Sequence, residues 1–346
     1  MGWVFGVCAG VLIIDLLVRA LAVRVILPVF ERRPPFAVEP AEPDSQAALV
    51  EFPTTQGLTL RGSLYRQAHR PARGIVIFCP EMAGTCWSAP SYCRGLVEAG
   101  FDVLAFDFRN QGQSDSLPGY EPLHWVTEHE VADVLAAIAC VRSREDLARL
   151  PLGAFGVSRG GGAALAAAAR SNEVEAVVCE GAFTTDSLTM LYTYRWAELY
   201  VPDWLMRLIP RWHLAGTLAL ARRVSQRRRR CTYTVLEREL PRLKSKPVLF
   251  IAGERDAYVP PAVAEAMCGY IGGERQSVWL VPEAGHNLAR DVDPETYDRR
   301  LAAFFNEFLR AAAPEPAVAE RCGMAPAVED AWPGMSAQQP HASLPN

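Results

Sequence analysis

The chain lacks the signatures of metal and nucleotide chemistry. Its 346 residues hold no Walker loop, Rossmann glycine fingerprint, His-Glu-x-x-His pair or Cys-x-x-Cys pair. Neither a metal nor a cofactor is therefore expected. Lys and Arg (35) nearly balance Asp and Glu (39), and the net charge of −4 supplies no long-range field for nucleic acid. No internal repeat is visible. The nine cysteines are odd in number and scattered through apolar segments, a usage that suits buried free thiols in a reducing compartment. A cleaved signal peptide is disfavoured, because no basic segment precedes the first apolar run and no small-residue cleavage site follows it. Myristoylation is disfavoured too, since Gly6 stands where Ser or Thr is needed. Histidine is scarce, with six in the chain, which narrows any search for a general base.

What the chain has in quantity is apolar sequence, half of its residues, enough for one large core plus appendages. Residues 3–18 are apolar except for Asp15, and apolar character continues to Phe30 with breaks at Arg19 and Arg24. About 20 residues span a bilayer, so residues 1–30 read as a single-pass anchor, with an amphipathic surface helix as the alternative. Asp15 and Arg19 stand at i and i+4, where pairing lowers the cost of burying both charges. Arg19, Arg24, Arg32 and Arg33 all lie at or beyond the C-terminal end of the run, which places the catalytic domain on the cytoplasmic side. Residues 31–47, rich in Pro and Glu, read as a linker.

From residue 48 strands and helices alternate. Strands are expected over 48–54 and 58–65, joined by a Gln56-Gly57 turn, and over 73–79, 101–107, 152–157, 174–180, 247–252 and 276–282. Helices are expected over 89–99, 126–143, 160–171, 260–271 and 294–311. This is the pattern of an α/β protein with a mostly parallel sheet flanked by helices and a site at the strand C-terminal ends. Residues 312–346, rich in Pro and Ala, read as a disordered tail.

One serine stands in Gly156-Val157-Ser158-Arg159-Gly160, between an apolar strand and an alanine-rich helix. Glycines on both sides permit the sharp strand-to-helix turn that projects a nucleophile into a cleft. A serine needs a base, and the base needs a carboxylate to orient it. His286 follows the strand Ser277–Val281 in a loop, whereas His124 and His129 flank a helix, His69 lies in a polar loop and His341 in the tail. Asp256 follows the strand at 247–252, with Glu254 as its near rival. Ser158, Asp256 and His286 each end an apolar strand, in the chain order of an α/β-hydrolase and not of chymotrypsin-like or subtilisin-like enzymes.

On these residues the chain resembles the α/β-hydrolases over most of residues 48–311. Phe106–Ser114 is similar to that family's Asp-x-Arg-x-x-Gly-x-Ser turn, and Val178–Thr185 resembles the strand-six end of its membrane-anchored single-domain members. The resemblance implies an α/β-hydrolase fold, a Ser-His-Asp triad and an acyl-enzyme route on an ester or thioester. Membrane-anchored esterases and protein-depalmitoylating thioesterases are the nearest branches it suggests, with serine aminopeptidase-like enzymes next. The family's His-Gly-x after strand three is replaced by Cys79-Pro80-Glu81-Met82. One oxyanion-hole donor is expected at the Arg159 amide, the other at Glu81 or Met82, because Pro80 has no N–H.

About 65 residues separate the strands ending at 180 and beginning at 247, so a helical lid is expected at about 184–245. Tyr192, Tyr194, Trp196, Tyr200, Trp204, Leu205, Met206, Leu208, Ile209 and Trp212 either line an acyl pocket or pack the lid to the core. Arg222, Arg223 and Arg227–Arg230 either form a solvated face or meet anionic headgroups. The expected partners are a small-molecule or lipid acyl substrate and the membrane. Two other functions compete: a serine aminopeptidase-like peptidase, and a catalytically silent membrane-bound scaffold.

Overall fold

A computed structural model describes residues 2–33, 41–68, 71–197, 202, 204 and 209–309. The tail at 312–346, part of the linker, His69, His341, Cys322, Tyr200, Leu205, Met206 and Leu208 lie outside the described residues, as does the Trp196 side chain.

Eight strands form one sheet: β1 (Ala48–Pro53), β2 (Thr59–Tyr65), β3 (Ile75–Cys79), β4 (Asp102–Phe106), β5 (Leu152–Val157), β6 (Val174–Glu180), β7 (Val248–Gly253) and β8 (Gln276–Val281). Their order is β1-β2-β4-β3-β5-β6-β7-β8. β1 and β2 pair as an antiparallel hairpin closed by Gly57 at φ 80°, and β2 joins β4 antiparallel. All later pairings are parallel.

The central strands are apolar without alternation because both faces are covered. Ile75, Ile77 and Cys79 of β3 enter one core, and Val76 and Phe78 enter the other. The first core is closed by α3 (Glu128–Ser143) and α4 (Arg159–Arg170), the second by α2 (Ala89–Glu98). Helix α5 (Thr185–Ala197) and helix α6 (Arg211–Arg229) belong to the long insertion. Helix α7 (Ala262–Ile271) packs in the first core, and α8 (Pro294–Phe308) packs in the second through Tyr297, Leu301 and Phe305.

The buried charges fix loops. The Asp107 carboxylate accepts from the backbone N–H of Cys86 (2.6 Å) and of Gln113 (2.7 Å). Arg109 binds Asp133 with both side chains out of solvent, Nη2 to Oδ1 at 2.6 Å. The Asp-x-Arg-x-x-Gly-x-Ser turn therefore ties β4 to its neighbours.

Helix α1 (Gly2–Glu31) precedes the sheet. It is long and apolar enough to cross a membrane, with mean hydropathy 2.3 in a window that no other part of the protein buries. Its last turns are different: Val23, Ile26, Leu27 and Phe30 are buried in the first core. Phe30 packs against Trp125 and Tyr233, and the Trp125 indole donates to the Val29 carbonyl at 2.9 Å. The apolar run expected to end in a linker thus ends docked on the domain.

Candidate active site

Ser158 sits between β5 and α4 at φ 52° and ψ −118°, a region that a side-chain-bearing residue rarely enters. The neighbouring glycines make this turn feasible. A Cβ on Gly160 would stand 2.1 Å from the Cys79 carbonyl oxygen, and one on Gly156 would stand 2.5 Å from the Gly160 oxygen. Both are forbidden contacts, so α4 can cross so close to β3 and β5 only with glycine there. The Ser158 N–H donates to the Glu180 carbonyl at 2.7 Å, which fixes the turn against the end of β6.

The three expected side chains come together. Ser158 Oγ lies 3.0 Å from His286 Nε2, and His286 Nδ1 lies 2.7 Å from Asp256 Oδ2. A carboxylate only accepts, so the imidazole proton belongs on Nδ1 and Nε2 is left to accept from the serine hydroxyl. The other Asp256 oxygen accepts from the N–H of Tyr258 (2.9 Å) and of Val259 (2.7 Å). Glu254 is exposed on the same turn, which leaves Asp256 as the residue that reaches the ring. The Asp256 side chain is 1% exposed and that of His286 10%, and Ser158 is buried as well, so the whole line is largely shielded from solvent, most of all at its carboxylate end.

The Arg159 guanidinium turns away from this line into the core, donating to the Leu123 carbonyl (3.1 Å) and to Gln111 (2.6 Å) beside Glu130. The Arg159 backbone N–H belongs to the first turn of α4, where amides have no partner within the helix. Glu81 is buried, with one carboxylate oxygen lacking a hydrogen-bond partner. Burial pushes its carboxyl up to about 7, with its own backbone N–H and His286 opposing and Glu180 adding to the rise. Met82, the other residue expected to supply a donor, is also buried.

Two supports escaped the sequence reading. Glu180, at the end of β6, is fully enclosed; its carboxylate accepts from the Ala289 N–H (3.0 Å) and the Tyr297 hydroxyl (2.6 Å). Burial raises the carboxyl of Glu180, and burial likewise raises the phenol of Tyr297. Tyr297 has no motif around it; the one signal was a polar ring on the apolar stripe of its helix. Tyr258 sets its ring edge-on to His286 at 5.9 Å, and the Tyr192 hydroxyl of α5 donates to the Tyr258 carbonyl.

The described aromatics of the long insertion divide. Tyr192 and Tyr194 pack against the core, while Trp204 and Trp212 are exposed. In the arginine run, Arg222 is buried against Asp186, and Arg223, Arg227, Arg228 and Arg230 are exposed. Among the described residues no group of His, Cys, Asp and Glu could hold a metal ion.

The strand order and the sharp serine turn before α4 give the chain the α/β-hydrolase fold. Residues 70–235 match the family described as "Serine aminopeptidase, S33". Thiohydrolase aneE of Aspergillus aculeatus is 29% identical over 163 residues, 46% of this chain and 46% of that protein. The chain thus spans about half the length of that relative. Protein bem46 of Schizosaccharomyces pombe is 22% identical over 252 residues, 72% of this chain and 73% of that one. Among solved structures, the Pyrococcus furiosus esterase Pf2001 aligns with TM-score 0.56 at 20% identity, covering 80% of this chain and 97% of the esterase. The hydrolase GrgF from a Penicillium species aligns at 0.59 and 18% identity, covering 76% and 99%. At such identities the structural likeness establishes the fold alone.

Proposed function

We propose that the chain is a serine hydrolase of carboxylic esters or thioesters, held at a membrane by α1. The carrying observation is the line Ser158 Oγ–His286 Nε2–Asp256, with links of 3.0 and 2.7 Å. Ser158 Oγ attacks the acyl carbon as its proton passes to His286 Nε2, and Asp256 holds the imidazolium that forms. The carbonyl electron pair moves onto oxygen, where the N–H groups of Arg159 and Met82 receive it. Collapse breaks the bond to the alcohol or thiol, which leaves with the proton from His286. Water, deprotonated by His286, then releases the acid and restores Ser158.

Thioester cleavage is supported by the likeness to a protein named a thiohydrolase. The family description favours a second reading, an aminopeptidase, which calls for short amino-acyl amides to turn over faster than esters of like size. A silent scaffold is disfavoured by the serine–imidazole distance, which is that of a working hydrogen bond. The test is labelling by a fluorophosphonate, together with a graded series of p-nitrophenyl esters, thioesters and amino-acyl amides. Wild type should label and turn over esters or thioesters, and Ser158→Ala should do neither. Undiminished labelling of Ser158→Ala would remove the serine from the mechanism.

A further inference from the structure

Helices α1 and α6 run side by side in the same direction. Asp15 and Arg19 pair at 2.8 Å, and Arg19 reaches the His213 carbonyl and the Thr217 hydroxyl, both at 3.2 Å. Sixteen residues further along α6, counted from His213, Arg229 reaches the Phe30 carbonyl at 3.4 Å, and Arg228 pairs with Glu31 at 3.4 Å. The two helices also change character together. On α1 the exposed large apolar side chains run from Trp3 to Val25, and on the first half of α6 Trp212 and Leu220 are exposed. Toward the far ends come Arg24 on α1 with Arg32 and Arg33 just past its last residue, and Arg223, Arg227 and Arg228 on α6, all exposed.

A cavity of about 570 Å³ opens between the helices where apolar gives way to basic. Arg24, Arg32 and Arg228 line it with one acid, Glu31, over a floor that includes Val23, Leu27 and Val224. Glu31 is taken by Arg228; among the described residues Arg24 and Arg32 have no carboxylate partner. Three guanidinium groups against one carboxylate leave the cavity cationic, and guanidinium forks suit phosphate oxygens. An apolar wall continuing into the exposed faces of α1 and α6 suits acyl chains. Neither half fits a free inorganic anion as well as it fits a lipid.

We propose that this cavity binds an anionic membrane phospholipid, its phosphate on Arg24, Arg32 and Arg228 and its acyl chains along the apolar faces of α1 and α6. The proposal rests on the reading of α1 as a membrane anchor. Because α6 belongs to the insertion beside the active site, the bound lipid ties the lid to the anchor and sets its height on the bilayer.

The full chain is reconstituted in vesicles of phosphatidylcholine carrying about one part in five of phosphatidylglycerol, chosen as a plain anionic lipid. It is then repurified in neutral detergent, and the retained lipid is weighed by mass spectrometry. Wild type should retain phosphatidylglycerol above its bulk share. Arg24→Gln, Arg32→Gln and Arg228→Gln should each lower the phosphatidylglycerol-to-phosphatidylcholine ratio about fivefold. Arg223→Gln with Arg227→Gln, outside the cavity, should leave it unchanged; an equal fall there would replace the cavity by a diffuse charged face and overturn the proposal. Displacement of the lipid by excess inorganic phosphate would overturn the lipid source. Alkaline carbonate extraction reads the anchor separately. A chain that stays with the membrane yet retains no excess phosphatidylglycerol defeats the cavity alone, whereas a chain that carbonate extracts defeats the anchor and the lipid site with it. Circular dichroism of each variant guards against misfolding, and a folded variant that retains wild-type lipid overturns the proposal.

Discussion

Glu180 holds Ser158 and the loop of His286 from opposite ends of one residue. Its carbonyl accepts the Ser158 N–H at 2.7 Å, and its carboxylate accepts the N–H of Ala289, three residues past His286, at 3.0 Å. Gly181 continues the same segment beneath the imidazole, where a Cβ would come 3.0 Å from His286 Cε1. The strain at Ser158 and the placement of His286 are thus set by a single strand end.

Removing the Tyr297 hydroxyl tests that arrangement. Tyr297→Phe leaves a Glu180 oxygen buried without its 2.6 Å donor, which costs about 1–3 kcal/mol. Urea unfolding should show this as a lower midpoint with unchanged slope. The turnover number should fall more than KM rises, because the loop bearing His286 loosens while the Ser158 turn keeps its own bond to the Glu180 carbonyl. A stability loss with no change in turnover would separate Glu180 from the site.

Asp256→Asn is expected to keep the fold and lose the reaction. The amide oxygen can still accept from Tyr258 and Val259, so its NH₂ must face His286 Nδ1. That forces the ring proton to Nε2, which then cannot accept from Ser158. Turnover should drop about 10⁴-fold with little change in thermal midpoint. Pre-steady-state acylation against a p-nitrophenyl ester is the measurement.

Much of this was legible because it depends on local chemistry. The alternation of apolar strands with helices predicted the parallel sheet, and the glycines around Ser158 announced a turn that tolerates no Cβ. The expected strands and helices stand within a few residues of those observed; the helix expected at 294–311 ends at Phe308, and residues 310 and 311 lie outside the described residues. The contact Glu180–Tyr297 was not legible, since the partners lie 117 positions apart; Glu180 stood in the segment that resembles the family's strand-six end, but nothing in the sequence named its partner. The docking of α1 was hidden for a related reason. Val23, Ile26, Leu27 and Phe30 look the same whether lipid or protein covers them, and only Trp125 and Tyr233 decide it.

The pair Arg109–Asp133 is predicted to be costly to break and cheap to replace. Both side chains are fully buried, so Arg109→Met strands a carboxylate whose pKa burial already pushes up to about 6 against the pull of Arg109. A loss of about 3–5 kcal/mol is expected for the single change. Adding Asp133→Leu should restore part of it, because two apolar side chains need no partner while the Arg109 backbone N–H still loses its acceptor, Asp133 Oδ2. Chemical denaturation of the two single variants and the double variant gives the cycle, and additive losses would contradict the pairing.

Glu81 gives the chain a pH dependence of definite sign. Burial raises its carboxyl to about 7, so the folded protein holds a proton that the unfolded chain releases near pH 4.5. Folding is then favoured most below the unfolded value, and that advantage fades as pH rises toward 7 and is gone above it. A shift of this size corresponds to about 3 kcal/mol. Glu81→Gln, which has no proton to lose, should melt higher than wild type at pH 8 and show the smallest gain at pH 5. The chemistry points the same way: above pH 7 an ionised Glu81 beside the Met82 amide repels the charge developing on the substrate oxygen. The glutamine variant should therefore hold its turnover between pH 7 and 9 where that of wild type declines. Parallel pH profiles for the two proteins would show instead that Glu81 faces away from the oxyanion, and its burial would then matter to stability alone.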